Sequence, residues 1–161
     1  MDQDVCNVHV AWAPQPGPQT AFVNCPMFEA VYGGARGGGK TDASLGEFVI
    51  HQDKWKAAAK GLFIRRKQSD LVNTLERAKA IYGASGAKWH EGKNTFVFPS
   101  GAVIRFRYLD RDEDADRYQG QDYSRVYIEQ LKDLNASLRW RRDGATEGPE
   151  ASDGSRPRHV R

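Results

Sequence analysis

At 161 residues the chain suits one domain able to bury most of its core, and a formal charge of +3, from 24 Lys and Arg against 21 Asp and Glu, is too mild to single out nucleic acid as a partner. Cys6 and Cys25 stand far apart with no Cys-x-x-Cys or paired His, which argues against a zinc site or disulfide framework and for reduced, partly buried thiols. Asp2 and Asp4 stand where a secretory signal would carry basic residues, and no segment approaches ~18 apolar residues, so the expectation is a cytoplasmic protein without membrane contact.

Residues 1–20 carry Pro14, Pro16, Gly17 and Pro18 and are expected to form an irregular lead-in. Gln19 closes this run. Its amide both donates and accepts, so it suits the edge of an adenine base, and an exposed polar loop residue is the competing reading. Residues 21–134 are expected to be the folded domain and 135–161 a disordered tail.

Phe28-Glu29-Ala30-Val31-Tyr32 is short, apolar and β-prone, which predicts a strand. It leads into Gly33 and then into Gly34-Ala35-Arg36-Gly37-Gly38-Gly39-Lys40-Thr41, the G-x-x-x-x-G-K-[ST] spacing of a phosphate-binding P-loop. Glycines at this spacing let successive backbone N–H groups converge on an anion. Lys40 would reach the β- and γ-phosphates, and Thr41 would ligate Mg²⁺ at the start of a helix whose dipole favours negative charge. A flexible glycine-rich turn is the plainer alternative. Asp42 to His51 places Leu45, Phe48 and Val49 at helical spacing, completing a strand-loop-helix order.

Gly61-Leu62-Phe63-Ile64-Arg65 reads as a buried parallel strand, with Arg65, Arg66 and Lys67 as its solvated end or as contacts for nucleotide or DNA. Ser69 opens an amphipathic helix that stops near Gly83. Lys88-Trp89-His90, Thr95 to Phe98 and Val103 to Tyr108, separated by turn residues, predict a β-meander inserted in the core, with Trp89, Phe96 and Phe98 as core aromatics and His90 as a polar strand end. Asp110 to Asp116 is acidic but lacks the Gly and terminal Glu of a calcium loop, so a solvated loop is expected.

Arg125 to Leu131 is an apolar strand ending in a carboxylate, the form of a Walker B segment. Glu129 would serve the Mg²⁺ shell through a water, and Gln130 stands where many ATPases carry a Glu that polarises the attacking water. An amide orients water but takes no proton, so competent binding with slow hydrolysis is expected.

Together, Gly17-Pro18-Gln19 before Tyr32 to Thr41, then Ile64-Arg65-Arg66, and then Tyr118 to Tyr123 running into the Glu129 strand resemble the ATPase part of the large subunit of tailed-phage terminases. The resemblance implies a three-layer P-loop α/β fold with a mainly parallel sheet, Walker A and Walker B strands adjacent, and ATP and Mg²⁺ as cofactors. By the same resemblance Gln19 lies near adenine, Arg36 senses or stabilises the γ-phosphate, double-stranded DNA is the substrate moved, and the portal, the small terminase subunit and further copies of the chain are partners, with work done at the prohead portal.

The coupling motif, later strands and nuclease domain of that family have no counterpart after Leu134, where Gly, Pro and charge replace apolar residues. A truncated or frameshifted gene is the expectation, with an open sheet edge. Trp140 among Arg139, Arg141 and Arg142 could stack on nucleic acid or belong to an incidental basic tail. A remnant that binds nucleotide or does nothing, and an unrelated P-loop enzyme such as a small kinase, are the competing functions.

Overall fold

Strand β1 (Lys60–Arg65) and strand β4 (Val103–Tyr108) lie side by side in parallel, with Phe63 opposite Phe106 and Leu62 opposite Arg105. Alternation along β4 sends Ile104 and Phe106 into the core and Arg105 and Arg107 to the other face. The computed structural model describes residues 10–35, 37–109 and 121–130, and within them the chain is a mixed α/β arrangement. Strands β2 (Lys88–His90) and β3 (Thr95–Val97) complete an antiparallel meander with β4, and β5 (Arg125–Ile128) pairs in parallel with β1, giving the order β2-β3-β4-β1-β5.

The sheet is therefore mixed, not mainly parallel. The meander supplies three of the five strands and is not an insertion beside the sheet, because β4 offers its free edge to β1. Among the described residues, helices α2 (Lys40–Trp55) and α3 (Gln68–Ala84) both cover one face, so the described part has two layers where three were expected. Phe48 of α2 meets Tyr82 of α3 at a ring-centroid distance of 6.3 Å and Tyr127 of β5 at 6.4 Å, and Tyr82 meets Phe96 at 5.1 Å. These rings close one core between helices and sheet, with Phe96 and Phe98 buried as expected and Trp89 packed against them. Helix α3 starts at Gln68 with no side-chain cap, one residue before the Ser69 read as its opening.

Two other expectations give way. Phe28 to Tyr32 forms no strand; Phe28 is 92% and Val31 88% exposed, and among the described residues none of the five joins a backbone ladder. Strand propensity is realised only beside a partner edge and over a face to bury, and the outer strand β5 pairs with β1 alone. The lead-in is not irregular throughout, because Pro18–Val23 forms a short helix α1, with Pro18 in its first turn, where its missing N–H costs nothing. Ahead of it, Trp12 lies on α2 at Gly46, where any Cβ would collide with the indole, which explains a glycine in mid-helix. Residues 135–161 lie outside the described residues. Among the described residues no helix is long and apolar enough to cross a membrane.

Candidate functional site

Helix α2 is fixed to the sheet by its second half. His51 Nε2 lies 2.9 Å from Ser124 Oγ, while Ser124 Oγ accepts from the Lys60 N–H at 2.9 Å and lies 3.1 Å from the Lys60 carbonyl. The one hydroxyl proton of Ser124 has two acceptors in reach, His51 Nε2 and the Lys60 carbonyl, and the tautomer of His51 sets which of the pair donates. Burial, and then the Arg125 charge, depress the His51 pKa, which favours the neutral ring beside Ser124. One turn earlier, Glu47 accepts from the Tyr127 hydroxyl and lies 3.3 Å from Arg125 Nε. Burial, then the Glu47 charge, raises the Tyr127 pKa well above its ordinary range, so the phenol stays protonated and donates.

These contacts set the helix antiparallel to β5. From His51 back to Lys40 the helix covers ~16 Å, and from Ser124 to Glu129 the strand covers a similar ~16 Å. The first residue of α2 and the Glu129 position therefore fall at the same, carboxyl, edge of the sheet.

The loop before α2 holds itself by its own polar groups. Lys40 Nζ donates to the carbonyls of Ala35 at 2.6 Å and Gly34 at 3.0 Å, and the Tyr32 hydroxyl donates to the Gly38 carbonyl at 3.2 Å while its ring stacks on Phe22 at 5.2 Å. Gly34, Gly37 and Gly39 all have positive φ, of 130°, 81° and 66°. Gly39 also caps α2, and its carbonyl accepts from Gln19 Nε2 at 3.0 Å; a Cβ there would collide with that amide. Thr41 lies in the first turn of α2 beside Asp42, whose carboxylate holds Arg77 of α3 at 2.8 and 2.6 Å.

Gln19 is buried, and its Oε1 accepts from the Gln15 N–H at 2.8 Å. It ties the lead-in to the end of the glycine loop, and what remains for a base is one amide hydrogen and one lone pair. Arg36 lies outside the described residues, as do Tyr118 to Gly120, the acidic run 110–116, Leu131, Trp140 and Cys6. Cys25 is a free, half-buried thiol.

Glu129 stands one residue beyond β5, its N–H donating to the Ile64 carbonyl at 3.1 Å. Its carboxylate forms an ion pair with the Arg65 guanidinium, and both side chains are largely buried. The approach is close, yet it leaves Glu129 Oε2 and Arg65 Nε without a hydrogen bond of good geometry. The proximity carries the charge attraction, and the orphaned atoms show that the pair is not a saturated fork. Arg65 is thus not a solvated strand end. The signal for this was available: two buried parallel strands, one ending in Arg and one in Glu, put the charges side by side when the strands pair. Gln130 is exposed and sits at a positive φ of 57°, unusual for a non-glycine residue. Among the described residues no group of three or more His, Cys, Asp or Glu is placed to hold a metal ion by itself.

No family model, curated protein or solved structure matches the chain.

Proposed function

We propose that the loop from Gly33 to Thr41 binds the phosphates of ATP with Mg²⁺, as the nucleotide site of a terminase-type DNA-packaging ATPase, with weak turnover. The observation that carries this reading is Lys40. Its ammonium is curled onto two carbonyls of its own loop, at 2.6 and 3.0 Å, between glycines whose φ angles few other residues adopt. The same cation, turned away from those carbonyls, would be free to meet a phosphate over the loop, where the unpaired N–H groups at the start of the sixteen-residue α2 would add to the attraction.

The donor set fits the cofactor. Lys40 and the loop amides would hold the phosphates, and the Thr41 hydroxyl would face the metal, with the Glu129 carboxylate, ion-paired with Arg65, at the same sheet edge. Bound there, Mg²⁺ neutralises charge on the phosphate oxygens. To serve a metal there, Glu129 would have to share its carboxylate with Arg65 or release it, and the guanidinium would remain a cation at the same sheet edge. Gln130 would be able to orient a water but not to accept its proton, so hydrolysis would be slow by about 10² to 10⁴ relative to a site with a base. Double-stranded DNA, the portal, the small subunit and further copies of the chain are the partners this reading implies, in the host cytoplasm and at the prohead portal.

A second reading, a remnant that binds nucleotide without turnover, is favoured by the Arg65–Glu129 pair and by the missing strand before the loop. Calorimetric titration with ATP and Mg²⁺, together with phosphate release from the native chain and Gln130→Glu, separates the two. Binding with a gain in turnover of about 10²-fold in the variant supports the ATPase. Binding with no turnover in either supports the remnant, and no binding in either sinks both.

A further inference from the structure

Helix α2 begins at Gly39 with no side-chain cap. Its first internal bond runs from the Ala43 N–H to the Gly39 carbonyl at 2.9 Å, so the N–H groups of Lys40, Thr41 and Asp42 precede the helical ladder and give this end a partial positive charge. Asp42 is the one acid in that first turn, two residues and ~3 Å along the axis from Lys40. A carboxylate here suits the helix and opposes the ligand. Its charge complements the free N–H groups, but one helical turn spans about 5.4 Å, less than the Debye length of ~8 Å, so an anion held at this end is repelled by it.

Arg77 answers that conflict from α3. Its Nε donates to Asp42 Oδ1 at 2.8 Å and its Nη2 to Asp42 Oδ2 at 2.6 Å, so one guanidinium engages both carboxylate oxygens in a fork. Packing sets it there: Ala78 and Ile81 of α3 share the core with Leu45 and Phe48 of α2, which leaves Arg77 on the flank of α3 beside the start of α2. The guanidinium side chain is 49% exposed and the carboxylate 31%, and an ion pair so open to solvent adds little to stability. Its effect on local charge is larger. It turns a full negative charge beside the glycine loop into a neutral pair, and leaves the carboxylate where the helix uses it.

We infer that Arg77 sets the charge of the phosphate site by neutralising Asp42, so that the start of α2 accepts a polyanionic ligand. The inference deepens the nucleotide reading and rests on it. Arg77 acts through Asp42, as a positioning residue and not as a ligand contact. A brace between α2 and α3 would use the same two hydrogen bonds, but it would make both partners equally useful to binding. Charge control gives the two partners opposite signs.

Calorimetric titration with ATP and Mg²⁺, on the native chain and four variants, tests it. Arg77→Gln leaves Asp42 uncompensated, and ATP affinity falls about two- to fivefold; Asp42→Asn leaves the Arg77 cation unopposed, and affinity rises by a similar factor. The double variant Asp42→Asn/Arg77→Gln returns to within about twofold of the native chain, and so does Arg77→Lys, which keeps the charge but not the fork. With ADP, one phosphate shorter, each change is smaller. The urea midpoints of the two single variants shift slightly and together, since both lose one exposed pair. Arg36, outside the described residues, is kept in every variant. If the native chain binds ATP while the two single variants move affinity in the same direction, or neither moves it, the pair is a brace and this inference alone is overturned. It is overturned as well if Arg77→Lys binds as weakly as Arg77→Gln. No binding of ATP by the native chain overturns the nucleotide reading itself and takes this inference with it.

Discussion

The two ends of α2 are built on opposite principles. Its second half is locked by burial: Phe48 is fully covered and touches His51, Tyr82, Phe98 and Tyr127, while Glu47 is tied to Tyr127 and Arg125 of β5 and His51 to Ser124 just before it. Its first residue and the loop before it are held by Lys40, Tyr32 and Gln19 reaching backbone carbonyls, with Met27, Phe28 and Val31 left exposed around them. Packing fixes the half that carries the fold, while hydrogen bonds that an anion could replace fix the end that carries the proposed chemistry. The contrast teaches that stability and ligand binding can be lost independently along one helix.

The largest effect lies in the packed half. Phe48→Ala empties the space between α2, α3 and β5 and is expected to cost about 3–5 kcal/mol, read from the midpoint of urea unfolding. A cost below ~1 kcal/mol would erase the contrast, since it would mean that this half is no better packed than the loop. Tyr127→Phe comes next. It leaves the largely buried Glu47 carboxylate with only the longer contact from Arg125 and is expected to cost about 1–3 kcal/mol in the same assay.

What could be read from the chain divides along the same line. The α2 and α3 helices, the β1 and β5 strands and the meander follow from periodicity and turn residues, because each buries a face that its own pattern defines. The expected Phe28–Tyr32 strand does not form, because propensity says nothing about whether a neighbouring edge exists to receive it. The glycine loop is legible as a spacing, but its present closure on Lys40 is not, since it depends on carbonyls that any sequence would supply. Glu129 is visible as a strand-end acid. Its capture by Arg65 needed the pairing of β1 with β5, a contact between segments more than sixty residues apart.

A smaller effect depends on pH. The His51 pKa is depressed below 6.5 in the fold, so between 6.5 and the lowered value the unfolded chain binds more protons than the native one. Stability is therefore complete above about pH 6.5 and declines as pH falls through that window, as the ring beside Ser124 gains a charge its surroundings disfavour. Urea unfolding at a series of pH values should show this decline in the native chain and its attenuation in His51→Gln, which retains an amide donor at the site. Equal pH dependence in both would remove His51 from the account.

Least of all should stability respond to Lys40→Ala. The ammonium lies at the partly exposed loop end and its partners are carbonyls that water can serve, so the unfolding midpoint should move by less than about 0.5 kcal/mol. ATP affinity should nevertheless fall by about tenfold or more, because a charge-assisted contact to phosphate is worth about 1.5–3 kcal/mol. This variant presses hardest on the comparison because the two readouts are expected to separate completely. If stability fell with affinity, the lysine would be a strut of the loop and its closure on Gly34 and Ala35 the native purpose of the motif. If stability held while affinity fell, the loop end would be free of structural duty, as a site whose contacts must be exchanged for those of a phosphate requires.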